Sequence, residues 1–368
     1  MAELEIFEKL PLGGMNLREM VAVLAKEGKP TSGDVLNRQI SALKSMGVKL
    51  PEDHVVLLLG GSNGILRAVA IQLLFGEGVP VYGVHYDRPK FQIGYYHVEA
   101  MKERAAERGI DTMWWNRDAT DPKVIDEVIN EIKKKYKVVH LINGIAAGAT
   151  KRYKENGEIY IKDIDVAFHP VLQYPEFTKM SSIRKLGLVK VETASDKDIE
   201  RTNKLMGTST LLWAKPLARA GLLKEGVSVV AFTDYDFEKD DPVYGMGPLA
   251  GAKILQRESM EKIKEEYHAK TVRLCYPAMD TTALGAIPGG ALMFALSAVI
   301  LKENNVFKGL PRLAEETVDI FKSGYNDAEL RMDTDFQQLL PEFHRRGEAL
   351  KAQDVPDVFK PLSDLPLP

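Results

Sequence analysis

Val55-Val-Leu-Leu-Leu59-Gly60-Gly-Ser-Asn-Gly64-Ile65-Leu66 is the stretch on which the fold turns. The apolar run Val55–Leu59 shows no alternation, so it suits a strand buried on both faces, the habit of a central parallel strand. Glycines follow at once, and a helical pattern begins at Ile65 and continues to Phe75. Gly60 and Gly64 let the chain turn sharply and bring backbone N–H groups close to a pyrophosphate. The helix behind them adds the positive end of its dipole. A glycine-rich turn between an apolar strand and a helix predicts a dinucleotide site, with Gly60, Ser62, Asn63, Gly64 and Ile65 at the phosphates. Gly60-Gly-Ser-Asn-Gly64 also fits a hydrolase elbow with Ser62 as nucleophile. That match is local, whereas the nucleotide reading also accounts for residues further along.

The same rhythm continues outward. Val79–His85 is a second expected strand, Tyr96–Arg108 a helix, Thr112–Trp115 a strand, Pro122–Lys135 a helix and Val138–Ile142 a strand. Strands alternating with helices of this length predict an α/β fold with a doubly wound parallel sheet, a Rossmann fold. The second strand ends in His85-Tyr86-Asp87-Arg88-Pro89. An acid there accepts hydrogen bonds from the adenine-ribose diol and repels a 2′-phosphate, so Asp87 points to NADH rather than NADPH, with Tyr86 beside it as a further cofactor-binding candidate. Arg88 beside it is able to pair a phosphate instead. Asp118 and Ala119 follow the third strand, where Asp118 is placed either to meet an adenine amino group or to cap a helix. Ile145, Ala146 and Ala147 follow the fourth, where small side chains let a nucleotide lie against the backbone.

Residues 151–191 break the alternation. Asn156-Gly157, several β-like stretches and His169-Pro170 predict a hairpin-bearing insertion over the site. A long helix is expected over 196–220 with Asp196 as its cap, then strand 227–233, helix 248–268, strand 271–276 and helix 289–303. Residues 311–350 look helical. The expected organisation is a helical N-terminal extension over 1–50, one domain over 51–350 and a surface tail over 351–368.

The chain has 368 residues, 45% hydrophobic and 27% charged, with 49 basic and 52 acidic side chains and a net charge of −3. Nucleic acid as main partner is not expected, because neutralising phosphates needs a basic excess or stripe. Cys275 is the only cysteine, so no intrachain disulfide forms, and its apolar surroundings suggest a structural role. The acidic start lacks a signal-peptide layout. The run Ala291–Leu301 is shorter than the ~20 residues a bilayer needs. These features suit a soluble cytoplasmic protein. The histidines are scattered without zinc-ligand spacing, so no metal site is expected.

Behind the apolar run Val227–Thr233 come Tyr244 and Lys253. A phenol near a lysine can donate a proton or a strong hydrogen bond to a carbonyl oxygen that gains negative charge. The lysine can hold a ribose and lower the phenol's pKa.

Together these elements resemble the single-chain trans-2-enoyl-thioester reductases of the FabV type, enlarged relatives of the short-chain dehydrogenases. The resemblance runs from about residue 55 to about 345. It rests on the Gly60–Gly64 turn, Asp87-Arg88-Pro89, Asp118-Ala119, Ala146-Ala147, Met206-Gly207, Ala231-Phe-Thr233, the widely spaced Tyr244 and Lys253, and the small-residue loop Thr281–Pro288. It implies NADH-dependent reduction of an enoyl thioester carried on coenzyme A or acyl carrier protein, by a monomer or homodimer. By the same resemblance Tyr244 meets the substrate oxygen, Lys253 holds the nicotinamide ribose, and Thr281 meets the nicotinamide amide or the diphosphate. The family pattern departs at four places. Leu66 stands where a glycine is usual, and Ile254 where a second lysine often follows. The first 50 residues do not match. Asp234 occupies the place of another active-site tyrosine, with Tyr235 one position on, so either Tyr235 shifts in through a local bulge or Asp234 meets the substrate itself. The rival readings are a short-chain-dehydrogenase-type reductase of a keto or β-ketoacyl thioester, and a nucleotide-binding module without catalysis.

Overall fold

The computed structural model describes residues 5–7, 32–87, 93–151, 153, 159–164, 186–236, 238–239, 241, 244–279, 281, 287 and 290–350. In chain order these form β1 (Glu5–Phe7), α1 (32–42), β2 (His54–Leu59), α2 (Gly64–Ile71), β3 (Val81–His85), α3 (Ile93–Glu107), β4 (Thr112–Asn116), α4 (Pro122–Lys133) and β5 (Val138–Asn143). Then follow β6 (Ile159–Ile164), β7 (Leu186–Val191), α5 (Asp196–Thr202), α6 (Ser209–Arg219), β8 (Val229–Asp234), α7 (Pro248–Tyr267), β9 (Lys270–Cys275), α8 (Gly290–Glu303), α9 (Leu310–Thr317), β10 (Glu329–Arg331) and α10 (Thr334–Ala349).

Seven strands make one sheet in the order β10-β9-β8-β5-β2-β3-β4, and every pairing in it is parallel. This is the doubly wound α/β sheet expected from the alternation. β2 carries its side chains alternately to two cores. Val56 and Leu58 join Leu66, Val69 and Leu73 on one face, and Val55, Leu57 and Leu59 meet Val128, Trp213 and Ile263 on the other. Burial on both faces is the physical reason for the unbroken apolar run. The chain winds from β2 outward to β4, then returns through β5 and winds the other way. The crevice between β2 and β5 is therefore the switch point at which such sheets bind ligands.

Several boundaries differ from the sequence reading. The helix after the glycine turn is α-helical only to Ile71, and a π-type turn, Gln72–Glu77, leads into left-handed Gly78. The long helix expected over 196–220 is α5, a π-type turn at Asn203–Gly207, and α6. Its cap is Ser195, not Asp196: Ser195 Oγ accepts from the Asp198 N–H, while Asp198 Oδ2 accepts from the Ser195 N–H. The expected helical run 311–350 contains the edge strand β10, paired with β9. Within the insertion, β6 and β7 pair antiparallel, and β1 adds to β7 in parallel as a third strand. So part of the N-terminal extension is strand, and another part is the helix α1. Asn156-Gly157, His169-Pro170 and the tail from 351 lie outside the described residues. Among the described residues no helix is long and apolar enough to cross a membrane.

Candidate active site

The turn after β2 is held over the sheet by its own backbone. The Gly60 N–H donates to Val84 O at 2.8 Å, and the Gly144 N–H donates to Leu59 O at 2.9 Å. Gly60 has φ +91° and Gly64 φ +61°, conformations that other residues adopt only at a cost. A Cβ on Gly60 would also lie 3.2 Å from the Gly144 backbone. At the head of α2, Asn63 makes no side-chain cap and the first turn carries no acid, so the helix start presents bare N–H groups. Leu66 stands where the resemblance leads one to expect a glycine. It fits because Gly144 faces it: a Cβ there would lie 2.6 Å from Leu66 Cγ and Cδ1.

One cleft of about 870 Å³ opens at this end of the sheet. All residues expected at cofactor or substrate line it: Gly60, Ser62, Asn63, Gly64, Ile65, Tyr86, Asp87, Asp118, Ala119, Ile145, Ala146, Ala147, Asp234, Tyr235, Tyr244, Lys253 and Thr281. Arg88, Pro89 and residues 282–286 lie outside the described residues. At the β3 end, Asp87 Oδ2 sits 2.6 Å from His85 Nδ1, and the Asp87 N–H donates to Asn116 Oδ1 at 2.8 Å. Tyr86 is largely exposed at the rim. Asp118 does not cap α4. Its Oδ1 accepts from the N–H and the hydroxyl of Thr120, each at 2.8 Å, and Asp121 is the cap. After β5, fully buried Asn143 fixes the small-residue segment. Its amide donates to Ser209 and Thr210, and its Oδ1 accepts from the Ile145 N–H at 3.1 Å. The Thr281 methyl stands over Gly64 of the glycine turn.

A second group of expected site residues lies beyond β8. Lys253, on the first turns of α7, is buried, and its Nζ donates to Thr233 O and, at 3.0 Å, to Gln256 Oε1. Burial lowers its pKa to about 8, opposed by the Asp234 charge and reinforced by Arg257 and Arg273. Tyr235 and Tyr244 meet edge to face with ring centroids 4.9 Å apart, and Lys253 Nζ lies 5.4 Å from the Tyr235 centroid. Burial raises both phenol pKa values, Asp241 adding to the effect at Tyr244 and Tyr244 itself at Tyr235. The expectation that Lys253 lowers the Tyr244 pKa is thus reversed. Desolvation and the Asp241 charge act in the same upward direction at Tyr244, and the ammonium is directed at Thr233 and Gln256.

Asp234, which also lines the cleft, is held by arginines. Its carboxylate is fully buried: Oδ2 accepts from Arg257 Nε at 2.8 Å and Arg273 Nε at 2.5 Å, and Oδ1 accepts from the Tyr235 N–H. Both oxygens are occupied, and it is the ring of Tyr235 that stands beside Tyr244. The cage extends through Asp236, which binds Arg257, Arg273 and Arg331, and Gln337 donates to Asp236 O at 2.8 Å. It fastens the loop after β8 to β9, β10 and α10. The sequence reading did not single out Arg201, Leu205 or Leu249, which also line the cleft. Cys275 is buried in β9 and its thiol pKa is pushed up to about 12 by burial, in keeping with a structural role.

A family model described as the trans-2-enoyl-CoA reductase catalytic region matches residues 91–322. Among curated relatives, a Colwellia psychrerythraea protein named enoyl-acyl-carrier-protein reductase (NADH) is 27% identical over 312 residues, 81% of this chain and 76% of that protein. One of the same name from Paraburkholderia phytofirmans is 26% identical over 344 residues, 89% of this chain and 85% of that protein. Among solved structures, Clostridium acetobutulicum trans-2-enoyl-CoA reductase in complex with NADH superposes with TM-score 0.74 at 21% identity, covering 89% of this chain and 86% of that one. The Treponema denticola trans-2-enoyl-CoA reductase in complex with NAD gives 0.69 at 20% identity, with 96% and 91% covered. At these identities the superpositions speak for the fold. The family match spans more than half of the 368 residues, Tyr235, Tyr244, Lys253 and Thr281 among them, and the chain belongs to the trans-2-enoyl-CoA reductase family.

Proposed function

We propose that this protein is an NADH-dependent reductase of the C2–C3 double bond of a trans-2-enoyl thioester carried on coenzyme A or acyl carrier protein. One observation carries the reading. A half-buried pair of phenols in edge-to-face contact and a buried lysine share a single cleft with a positive-φ glycine turn and a strand-end aspartate.

The residues fit a dinucleotide. Gly60 and Gly64 offer backbone N–H groups, the uncapped start of α2 offers more, and Asp87 offers carboxylate oxygens to a ribose diol, which disfavours NADPH. Asp118 and Ala119 would flank the adenine, Ile145 to Ala147 the nucleotide backbone, and Lys253 and Thr281 the nicotinamide end. When bound, NADH supplies the hydride that saturates the β carbon. The displaced electron pair of the double bond moves onto the thioester oxygen, and Tyr244 donates to that oxygen. Tyr235 braces the Tyr244 ring and presents a second hydroxyl, Lys253 adds positive charge in a dry wall, and protonation at C2 completes the product. Asp234 acts through Tyr235 by fixing its backbone. Removing one fixed donor to a developing oxyanion typically costs about 10²–10³ in rate.

Soluble thioesters and NADH as reactants suit a cytoplasmic monomer or homodimer. The test follows NADH absorbance with crotonyl-CoA beside acetoacetyl-CoA. Oxidation of NADH by crotonyl-CoA, with NADPH a poor substitute, is the expected result. Consumption on the keto substrate alone would make the protein a keto-thioester reductase and overturn the proposal.

A further inference from the structure

We propose that Arg201 is the docking residue for the phosphate of a phosphopantetheine arm, an inference that rests on the thioester reading above. Arg201 closes α5 and is exposed, yet it lines the cleft. Its neighbour Thr202 is buried, and Thr202 Oγ1 accepts from the Ala149 N–H at 2.9 Å. That bond ties the helix end to the segment after β5 and fixes where Arg201 stands. The acid one turn earlier is already engaged: Asp198 accepts from Ser195 and pairs with Lys151 at 3.2 Å. Among the described residues Arg201 has no ion-pair or hydrogen-bond partner. A guanidinium left open in a cleft is suited to bidentate recognition of a phosphate.

Its surroundings say which half of the cleft it serves. The π-type turn after α5 turns Leu205 and Met206 into the cleft, and Met206 packs with Leu249 and Tyr244. π-type turns recur at functional sites because the extra residue redirects side chains. α5 and this turn pack on α7, which follows β8, whereas Asp87 and Asp118 follow β3 and β4 on the far side of the switch point. A cation at the end of an apolar strip that leads to Tyr244 matches a ligand with an apolar acyl thioester at one end and a phosphate further along. Coenzyme A and acyl carrier protein both offer that phosphate, so the shared phosphopantetheine arm is the ligand class.

The experiment is calorimetric, with saturated, unreactive thioesters titrated into the full chain in the presence of NADH. Arg201→Gln is expected to weaken butyryl-CoA and butyryl-acyl carrier protein about 10-fold or more, as for loss of a charged hydrogen bond. Butyryl-pantetheine, which has no phosphate, should bind both forms equally, and NADH affinity should not change. Equal weakening of butyryl-pantetheine, a loss confined to one carrier, or a loss of NADH affinity would each overturn the assignment. Failure of the thioester-reductase reading shows separately, as absence of NADH oxidation with crotonyl-CoA.

Discussion

At the scale of single residues, burial rather than mutual attraction sets the chemistry of Tyr244 and Lys253. Tyr244→Phe removes the hydroxyl proposed as donor to the thioester oxygen while leaving the ring contact with Tyr235. It should lower kcat about 10²–10³-fold with NADH affinity unchanged, measured by stopped-flow reduction and NADH fluorescence titration. Lys253 has a pKa lowered to about 8, chiefly by burial, so its charge is lost as pH rises through that value. kcat/KM for NADH in the wild type should therefore fall above about pH 8, and Lys253→Arg, which stays charged, should lose that alkaline limb. The stability term has the opposite sense: between about pH 8 and the ordinary lysine range the unfolded chain binds a proton that the folded chain does not, so stability from this group rises with pH. Gly60, Asp87, Tyr244 and Lys253 were legible because each has a distinctive residue type at a distinctive place in the strand-and-helix rhythm. The orientation of Asp234 was not, since its partners Arg257 and Arg273 are joined to it only by the folded sheet. Arg201 reads in sequence as any solvated helix arginine.

At the scale of elements, the contact between α2 and the segment after β5 sets one large side chain against one glycine. The bulk of Leu66 on the helix is accommodated by the absence of a side chain at Gly144. Gly144→Ala should cost about 1–3 kcal/mol by overpacking. Adding Leu66→Ala should recover much of that loss, a coupling that urea denaturation of the two singles and the double would read out. Simple additivity would show that the two side chains do not share this space. Long amphipathic or fully apolar segments such as α4 and β2 announced themselves by period and length. The three-residue β10 did not, because Glu-Leu-Arg carries no period and becomes a strand only through β9. The two π-type turns have no local signal either, since the surrounding helical pattern runs straight through them.

At the scale of the whole molecule, the end of the sheet away from the cleft holds a pair of neutral histidines. His140 Nδ1 accepts from the Val229 N–H at 3.1 Å, so its proton sits on Nε2, which donates to His54 Nδ1 at 3.0 Å. Asp53 lies 3.9 Å from His54 Nε2, the charge of Lys270 bears on His140, and Phe321 covers its ring. Burial lowers both histidine pKa values, that of His140 to about 3. Below the ordinary histidine pKa the unfolded chain takes up protons that the folded one refuses, so stability should fall with pH from about 6.5 towards 3. Thermal melts across that range should show a shallower decline for His140→Asn, whose side-chain oxygen is able to keep the Val229 bond. An unchanged slope would assign the acid sensitivity to other groups.

The arginine cage around Asp234 and Asp236 has a further consequence, for the order in which a nascent chain acquires its parts. Asp236 meets Arg331 across 95 positions of sequence, and Gln337 follows. A ribosome has translated the turn at Gly60, and the helix bearing Lys253, long before the last arginine of the cage emerges. The glycine turn and the helix bearing Lys253 are thus translated while the segment carrying Tyr235 still awaits its last two anchors, Arg331 and Gln337.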